Sequence, residues 1–214
     1  MPKALGLYQE AVGFQPNFPA AWRNIGSLAR KMGNSKLALE AAQNLQKQLD
    51  PEVDTWWLAV ALSDEGDARN ALGNNRTALE KYRQARALLS QLAQIEPGNW
   101  DLQRDLSVSY ERVGDMHLKS GDNGAALKAY QESLAIRKKL AELDPDMVEW
   151  QTDSVVSYFK LAQILEDRQK DLLTDALAIL YRLHRENRLD YEKQQWIGML
   201  EELLQRRKFG ADKR

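Results

Sequence analysis

The sequence predicts an all-α solenoid: antiparallel helix hairpins stacked in chain order and closed by a C-terminal capping helix. Three observations predict it. Sliding residues 100–145 back by 48 positions puts Gly114 on Gly66, Asp115 on Asp67, Gly121 on Gly73, Ala126 on Ala78, Tyr130 on Tyr82 and Pro145 on Pro97. A self-match at fixed period marks units that cannot bury an apolar face alone and must stack on neighbours. Within the unit, Leu102, Leu106, Tyr110, Val113 and Met116 are spaced by three and four residues, as on one stripe of a helix, and a second stripe runs through Leu127, Tyr130, Leu134 and Ala141. Gly121 separates the two stripes, Asp122 and Asn123 can cap the second helix, and Pro145 ends it. Gly114 and Ala126 are small inside their helices, which predicts close approach of the pair.

Taken in order, residues 3–18 read as the second helix of a hairpin whose first helix is missing. The chain therefore reads as a fragment of a longer polypeptide, with repeats or another domain upstream. An open end of this kind exposes an apolar face, for which Leu5, Tyr8, Val12 and Phe18 are the candidates, and exposed apolar faces commonly find a partner. Homo-oligomerisation through this end is therefore an expectation. Residues 19–50 form a compact hairpin broken at Gly33 and Asn34. Residues 51–97 form a longer one, with Trp56 and Trp57 near its start and its turn at residues 73–75. Residues 98–145 are the unit described above.

The unit at 146–188 is degenerate: Ala162 stands where glycine is expected, its turn is read at DRQKDLLTD, and its second helix is expected from about Leu172 to Glu186. Residues 190–208 follow as the cap, with Tyr191, Trp196, Met199, Leu200, Leu203 and Leu204 as its apolar stripe. RRKFGADKR reads as a frayed basic tail.

At these residues the chain resembles the tetratricopeptide repeat family, whose helix pairs carry large, small and proline residues at fixed places. The small, aromatic and proline positions appear as Ala126, Tyr130 and Pro145, and as Ala78, Tyr82 and Pro97. A shorter form appears as Trp22, Ile25, Gly26, Ala29, Gly33, Ala38 and Pro51. The 48-residue units resemble a long-helix variant found in bacterial multidomain proteins, and the resemblance covers residues 3–186. It implies a right-handed superhelix with first helices lining a concave groove. The implied function is a scaffold or adaptor that binds a protein segment or peptide there, as the sensor or regulatory arm of a larger signalling protein.

In that register the groove receives Arg23, Asn24, Ser27 and Arg30 from the second unit. The third gives Ser63, Asp64, Asp67 and Asn70, the fourth Glu111, Arg112, Asp115 and Lys119, and the fifth Phe159, Lys160 and Gln163. The family's clamp for a chain-terminal carboxylate is not expected: Asn24 fits it, but Val60 and Asp64 stand where lysine and arginine are needed. Alternating basic, acidic and mixed rungs suit a protein segment of matching charge, whose register electrostatics would set.

Composition narrows the function further. Thirty Lys and Arg against 31 Asp and Glu leave a net charge of −1, so no nucleic-acid or membrane-surface partner is expected. No cysteine is present, which removes disulfides, thiolate zinc sites and cysteine nucleophiles, and a cytoplasmic location is expected. His117 falls at a packing position and His184 lies among charges. The acidic run Asp64, Glu65 and Asp67 lacks the loop spacing of a calcium site and reads as a solvated helix face. Ser107 and Ser109 have no base beside them, and the isolated glycines form no phosphate loop. Neither a catalytic residue nor a cofactor or metal site is expected.

Overall fold

A computed structural model describes residues 1–211, with side chains through Gln205. Ten α-helices and no strand occur among the described residues. They fall into two compact units, Met1–Ser120 and Gly121–Arg214. The first holds α1 (Pro2–Phe14), α2 (Pro19–Lys31), α3 (Ser35–Lys47), α4 (Thr55–Ala71), α5 (Asn75–Ile95) and α6 (Trp100–Lys119). The second holds α7 (Asn123–Leu143), α8 (Val148–Ala162), α9 (Gln169–Arg185) and α10 (Tyr191–Ala211). Within each unit every helix packs on the next one in the chain.

The starts and stops follow from local chemistry. Pro2 and Pro19 open α1 and α2 at positions whose amides have no helical partner anyway. Side chains of Asn34, Asn99 and Asp122 accept the amides of Leu37, Leu102 and Ala125 and so cap α3, α6 and α7. Such a cap contributes about 1 kcal/mol. At the end of α2, Gly33 sits at φ +71°, its amide bonded to the Arg30 carbonyl while Asn34 N–H reaches back to Ala29. Gly73 repeats this at φ +81°, with bonds to Asn70 and from Asn74 to Arg69. Both are Schellman endings, and the left-handed residue that turns the chain has to be nearly side-chain-free.

Hairpin closeness is visible at Gly66. A Cβ there would lie 2.5 Å from Cε1 of Tyr82, so the ring of α5 rests on the backbone of α4. The small residues Ala21 and Ala29 of α2, Ala38 and Ala41 of α3, and Ala59, Ala61 and Ala68 of α4 are buried, letting the backbones approach.

Several expectations need correction. Leu5, Tyr8 and Val12 do not form an open face: Val12 is buried and the other two pack with it against Ala21, Ile25 and Ala41. The exposed large apolar side chains of this end are Met1, Leu7, Phe14 and Phe18, with Phe14 91 % exposed. The register was one helical face out for all but Phe18.

The degenerate unit also differs. Most of DRQKDLLTD is helical, because α9 begins at Gln169, and the turn occupies residues 163–168. The Gln169 side chain closes that turn on the Ala162 carbonyl. At the far end of α9, Asn187 adopts φ +55° and supplies the left-handed ending in place of glycine, with the Asn187 and Arg188 amides bonded to His184 and Leu183. The cap helix packs on α9, with Leu200 buried, but Tyr191 and Met199 face outward. The tail expected to fray from Arg206 is helical through Ala211, and residues 212–214 lie outside the described residues.

On α7 the buried stripe includes Ser133 and Arg137, where an apolar stripe was expected. Arg137 is 3 % exposed and donates to the Asp153 carbonyl and Ser157 Oγ of α8. Burying a guanidinium is tolerable only with such partners.

Candidate functional site

The first helices of the hairpins in the first unit, α2, α4 and α6, bring five of the expected groove residues, Arg23, Arg30, Ser63, Asp64 and Arg112, to one place. A cavity of about 140 Å³ opens between them, walled by Arg23, Arg30, Asp64, Asp105 and Arg112. Ala59, Val60, Ser63 and Val108, with Leu89 of α5, complete its lining.

The rungs of charge are cross-linked from helix to helix. Arg30 Nη1 donates to Asp64 Oδ1 at 2.7 Å, joining α2 to α4. Arg112 Nη2 donates to Asp67 Oδ2 at 3.0 Å, and Lys119 Nζ to Asn70 Oδ1 at 2.6 Å, joining α4 to α6. The Trp56 indole N–H donates to Asp105 Oδ2 at 2.8 Å, and the Arg23 guanidinium lies 5.8 Å from the Trp56 ring centroid. Asp67 also accepts the Tyr82 hydroxyl at 2.7 Å, which ties the rung to the hairpin contact at Gly66.

The acidic run on α4 is therefore not a solvated face. Asp64 is 7 % and Glu65 2 % exposed. The two carboxylates face different neighbours, Asp64 towards α2 and Glu65 towards α3 and α5, and meet opposite fates. Glu65 accepts from Gln46 Nε2 at 2.8 Å and Arg69 Nε at 2.7 Å, and pairs with Lys81 at 2.9 Å. Burial by itself would raise its pKa; the hydrogen bonds from Gln46, Lys81 and Arg69 outweigh that and hold it below the ordinary carboxylate value. Asp64 behaves oppositely. Desolvation raises its pKa more than Arg30 lowers it, and the Asp67 charge adds to the rise. Burial and the Asp67 charge likewise push the Tyr82 phenol up.

The remaining expected groove residues lie around this core. Asn24 is exposed and Ser27 half-buried on α2, while Glu111 and Asp115 are half-buried on α6. Lys160 belongs to the second unit, where its amine lies over the Tyr130 ring at 6.0 Å, and Phe159 lines a separate apolar cleft of about 220 Å³ with Trp196, Met199 and Leu200.

Sequence reasoning did not find Trp56, Asp105, Val108 or the Glu65 cluster. A signal existed for some of them. Trp56 and Asp105, like Asn70 and Lys119, are 49 residues apart. That is one more than the repeat period, which sets donor beside acceptor on neighbouring first helices.

No catalytic constellation is assembled at the singled-out residues. His117 Nε2 lies 3.1 Å from Arg83 Nη2 and so acts as acceptor, and His184 is exposed on α9. Ser107 and Ser109 are buried, each donating to a carbonyl one helical turn back, Arg104 and Leu106. Among the described residues no group of His, Asp or Glu is arranged to hold a metal ion, and no helix is long and apolar enough to cross a membrane.

No family model matches the chain, and no curated protein does so by sequence. Solved structures are similar in fold. BtubC (BKLC) from P. vanneervenii matches with a TM-score of 0.63 at 15 % identity, covering 100 % of this chain and 90 % of its own. MamA matches with a TM-score of 0.54 at 17 % identity, over 85 % of this chain and 89 % of its own. With the helices packed in sequence order, the fold class is an α-solenoid of tetratricopeptide-like repeats.

Proposed function

We propose that the chain is a protein-interaction module that binds a protein segment across the first-helix surface of α2, α4 and α6. One observation carries the reading. Side chains of this surface are cross-linked over three helices, Arg30 to Asp64, Arg112 to Asp67 and Trp56 to Asp105, so they present a fixed array of donors and acceptors around a small polar cavity. Pre-organised polar arrays favour recognition, because little side-chain ordering remains to be done on binding. A scaffold or adaptor role fits such a surface.

The test is selection of binders from a random peptide display library with the whole chain, followed by affinity measurement on wild type and Val108→Arg. Val108 is half-buried at the cavity, and a long charged side chain there would fill it. Affinity should fall by about tenfold or more with an unchanged melt. Equal affinity for both proteins would reject the surface.

A second reading is self-association through α1. It is favoured by the exposure of Leu7, Phe14 and Phe18 on one short terminal segment. Concentration-dependent mass in light scattering, abolished in Phe14→Glu, is its expected signature, and a constant monomer mass rejects it.

A further inference from the structure

We propose that the edge of the first unit formed by the α1–α2, α3–α4 and α5–α6 connections is a docking surface for a basic polypeptide segment, one in which lysine or arginine alternates with large apolar side chains. The edge lies at the connections rather than in the cavity between α2, α4 and α6, and it does not rest on the reading above.

Topology makes the edge. Each helix of the unit packs on the next through a connection of a few residues, so successive helices run antiparallel and the connections alternate between two edges. One edge collects residues 15–18, 48–54 and 96–99. Every connection on it is flanked or occupied by exposed large apolar side chains: Phe14 and Phe18 at the first, Val53 at 79 % in the second, and Ile95 at 75 % with Trp100 at the third. Single apolar residues are ordinary on a protein surface. Three consecutive connections make a row, and exposed apolar rows rimmed by polar groups mark interaction sites. The core of the unit does not use these side chains. Phe14, Leu49 and Ile95 each stand two residues before a proline, at Pro16, Pro51 and Pro97, yet of the three Leu49 alone is buried.

The connections are also pinned. The Trp22 indole N–H donates to the Pro16 carbonyl at 2.9 Å, the Asp50 and Asp54 carboxylates accept the amides of Glu52 and Asp50, and Glu96 accepts from Asn99 Nδ2. A partner therefore meets backbone already in place, with little ordering left to do.

Charge selects the occupant. Asp50, Glu52, Asp54 and Glu96 lie in these connections and Asp101 in the first turn of α6, whereas the connections contain no lysine or arginine. Lys47, in the last turn of α3, is the nearest basic residue along the chain. None of the five carboxylates is ion-paired among the described residues. Two copies meeting through this same edge would repel one another, and so would an anionic membrane surface. A segment of lysines or arginines is attracted instead, and its apolar side chains cover the row.

The experiment is fluorescence anisotropy of labelled, capped heptapeptides titrated with the whole chain at physiological ionic strength. Three are compared: lysine alternating with leucine and phenylalanine, the same peptide with glutamate for lysine, and lysine alternating with serine. The first is expected to bind saturably and at least about tenfold more tightly than either of the others. Ile95→Ser and Glu52→Lys, both at exposed positions, should each weaken it by about threefold to fivefold with an unchanged melt. Val108→Arg, in the first-helix cavity, should leave it unchanged.

Loss of binding on Val108→Arg with full binding by the two edge variants puts the peptide on the first-helix surface and overturns the edge. Equal binding of the serine peptide, or no saturable binding of any of the three, overturns it as well. Co-flotation with phosphatidylcholine–phosphatidylserine vesicles that Ile95→Ser abolishes would make a membrane the occupant. A concentration-dependent mass that Ile95→Ser abolishes would make it a second copy, and either result rejects the basic segment.

Discussion

The ring of Tyr82 lies against the backbone of Gly66 so closely that a single added methyl would meet it at 2.5 Å. The contact fixes how α4 and α5 approach, and through the Tyr82 hydroxyl on Asp67 it also fixes the rung that Arg112 joins. Gly66→Ala should therefore destabilise the protein by about 1–3 kcal/mol despite alanine's better helix propensity. Thermal or urea unfolding measures this. Combining it with Tyr82→Leu, which removes the ring edge, should cost less than the sum of the two single changes. An additive cycle would contradict the packing.

Neighbouring carboxylates on α4 are expected to titrate with opposite consequences. Glu65 has a native pKa below its ordinary 4.5, so it contributes stability that is present above that value and is lost as pH falls through the depressed native value. Asp64 is raised above its ordinary 3.8, so its contribution is present below that value and is lost as pH rises through the raised native one. Glu65→Gln should be less stable than wild type by about 2–3 kcal/mol at pH 7, discounted for the partial exposure of Arg69 and Lys81, with the gap closing below about pH 4. For Asp64→Asn the balance against wild type should move in the variant's favour between about pH 4 and pH 7. Urea midpoints at three pH values decide both, and parallel pH profiles for the two variants would refute the assignment.

The helix endings make a paired prediction. Gly73 at φ +81° should not tolerate alanine, and Gly73→Ala is expected to cost about 1 kcal/mol. Asn187, at φ +55°, occupies the equivalent place after α9, so Asn187→Gly should be neutral or stabilising by a few tenths of a kcal/mol. Differential scanning calorimetry on the two variants reads both signs. A stabilised Gly73→Ala protein would mean the turn had changed type.

How much of this was legible follows from what periodicity encodes. Hairpin glycines and the alanine, tyrosine and proline positions at Ala126, Tyr130 and Pro145 recur at a fixed period, and a repeat reports them directly, while the cap at Asp122 and the apolar stripe of α6 are legible from local spacing. The cavity residues Arg23, Arg30, Asp64 and Arg112 were reached by register alone. What the repeat does not report is where a charge on that face finds its partner. Asp64 and Glu65 look alike in sequence, yet they are one residue apart on a helix and so face different neighbours. The α1 face was misjudged for a related reason: with few residues and no partner repeat to align, Leu5, Tyr8 and Val12 could be assigned outward as easily as Leu7 and Phe14. At Ser133 and Arg137 the apolar stripe was overridden by acceptors on α8, a tertiary fact with no local signature.

The most direct test of the account is amide chemical-shift mapping on the isotope-labelled chain with a peptide taken from the display selection. The account predicts perturbations concentrated on α2, α4 and α6, at Arg23, Asn24, Ser27, Val60, Ser63, Val108 and Arg112. Perturbations confined to α1 around Leu7 and Phe14, or to the faces of α3 and α5 away from the cavity, would contradict it.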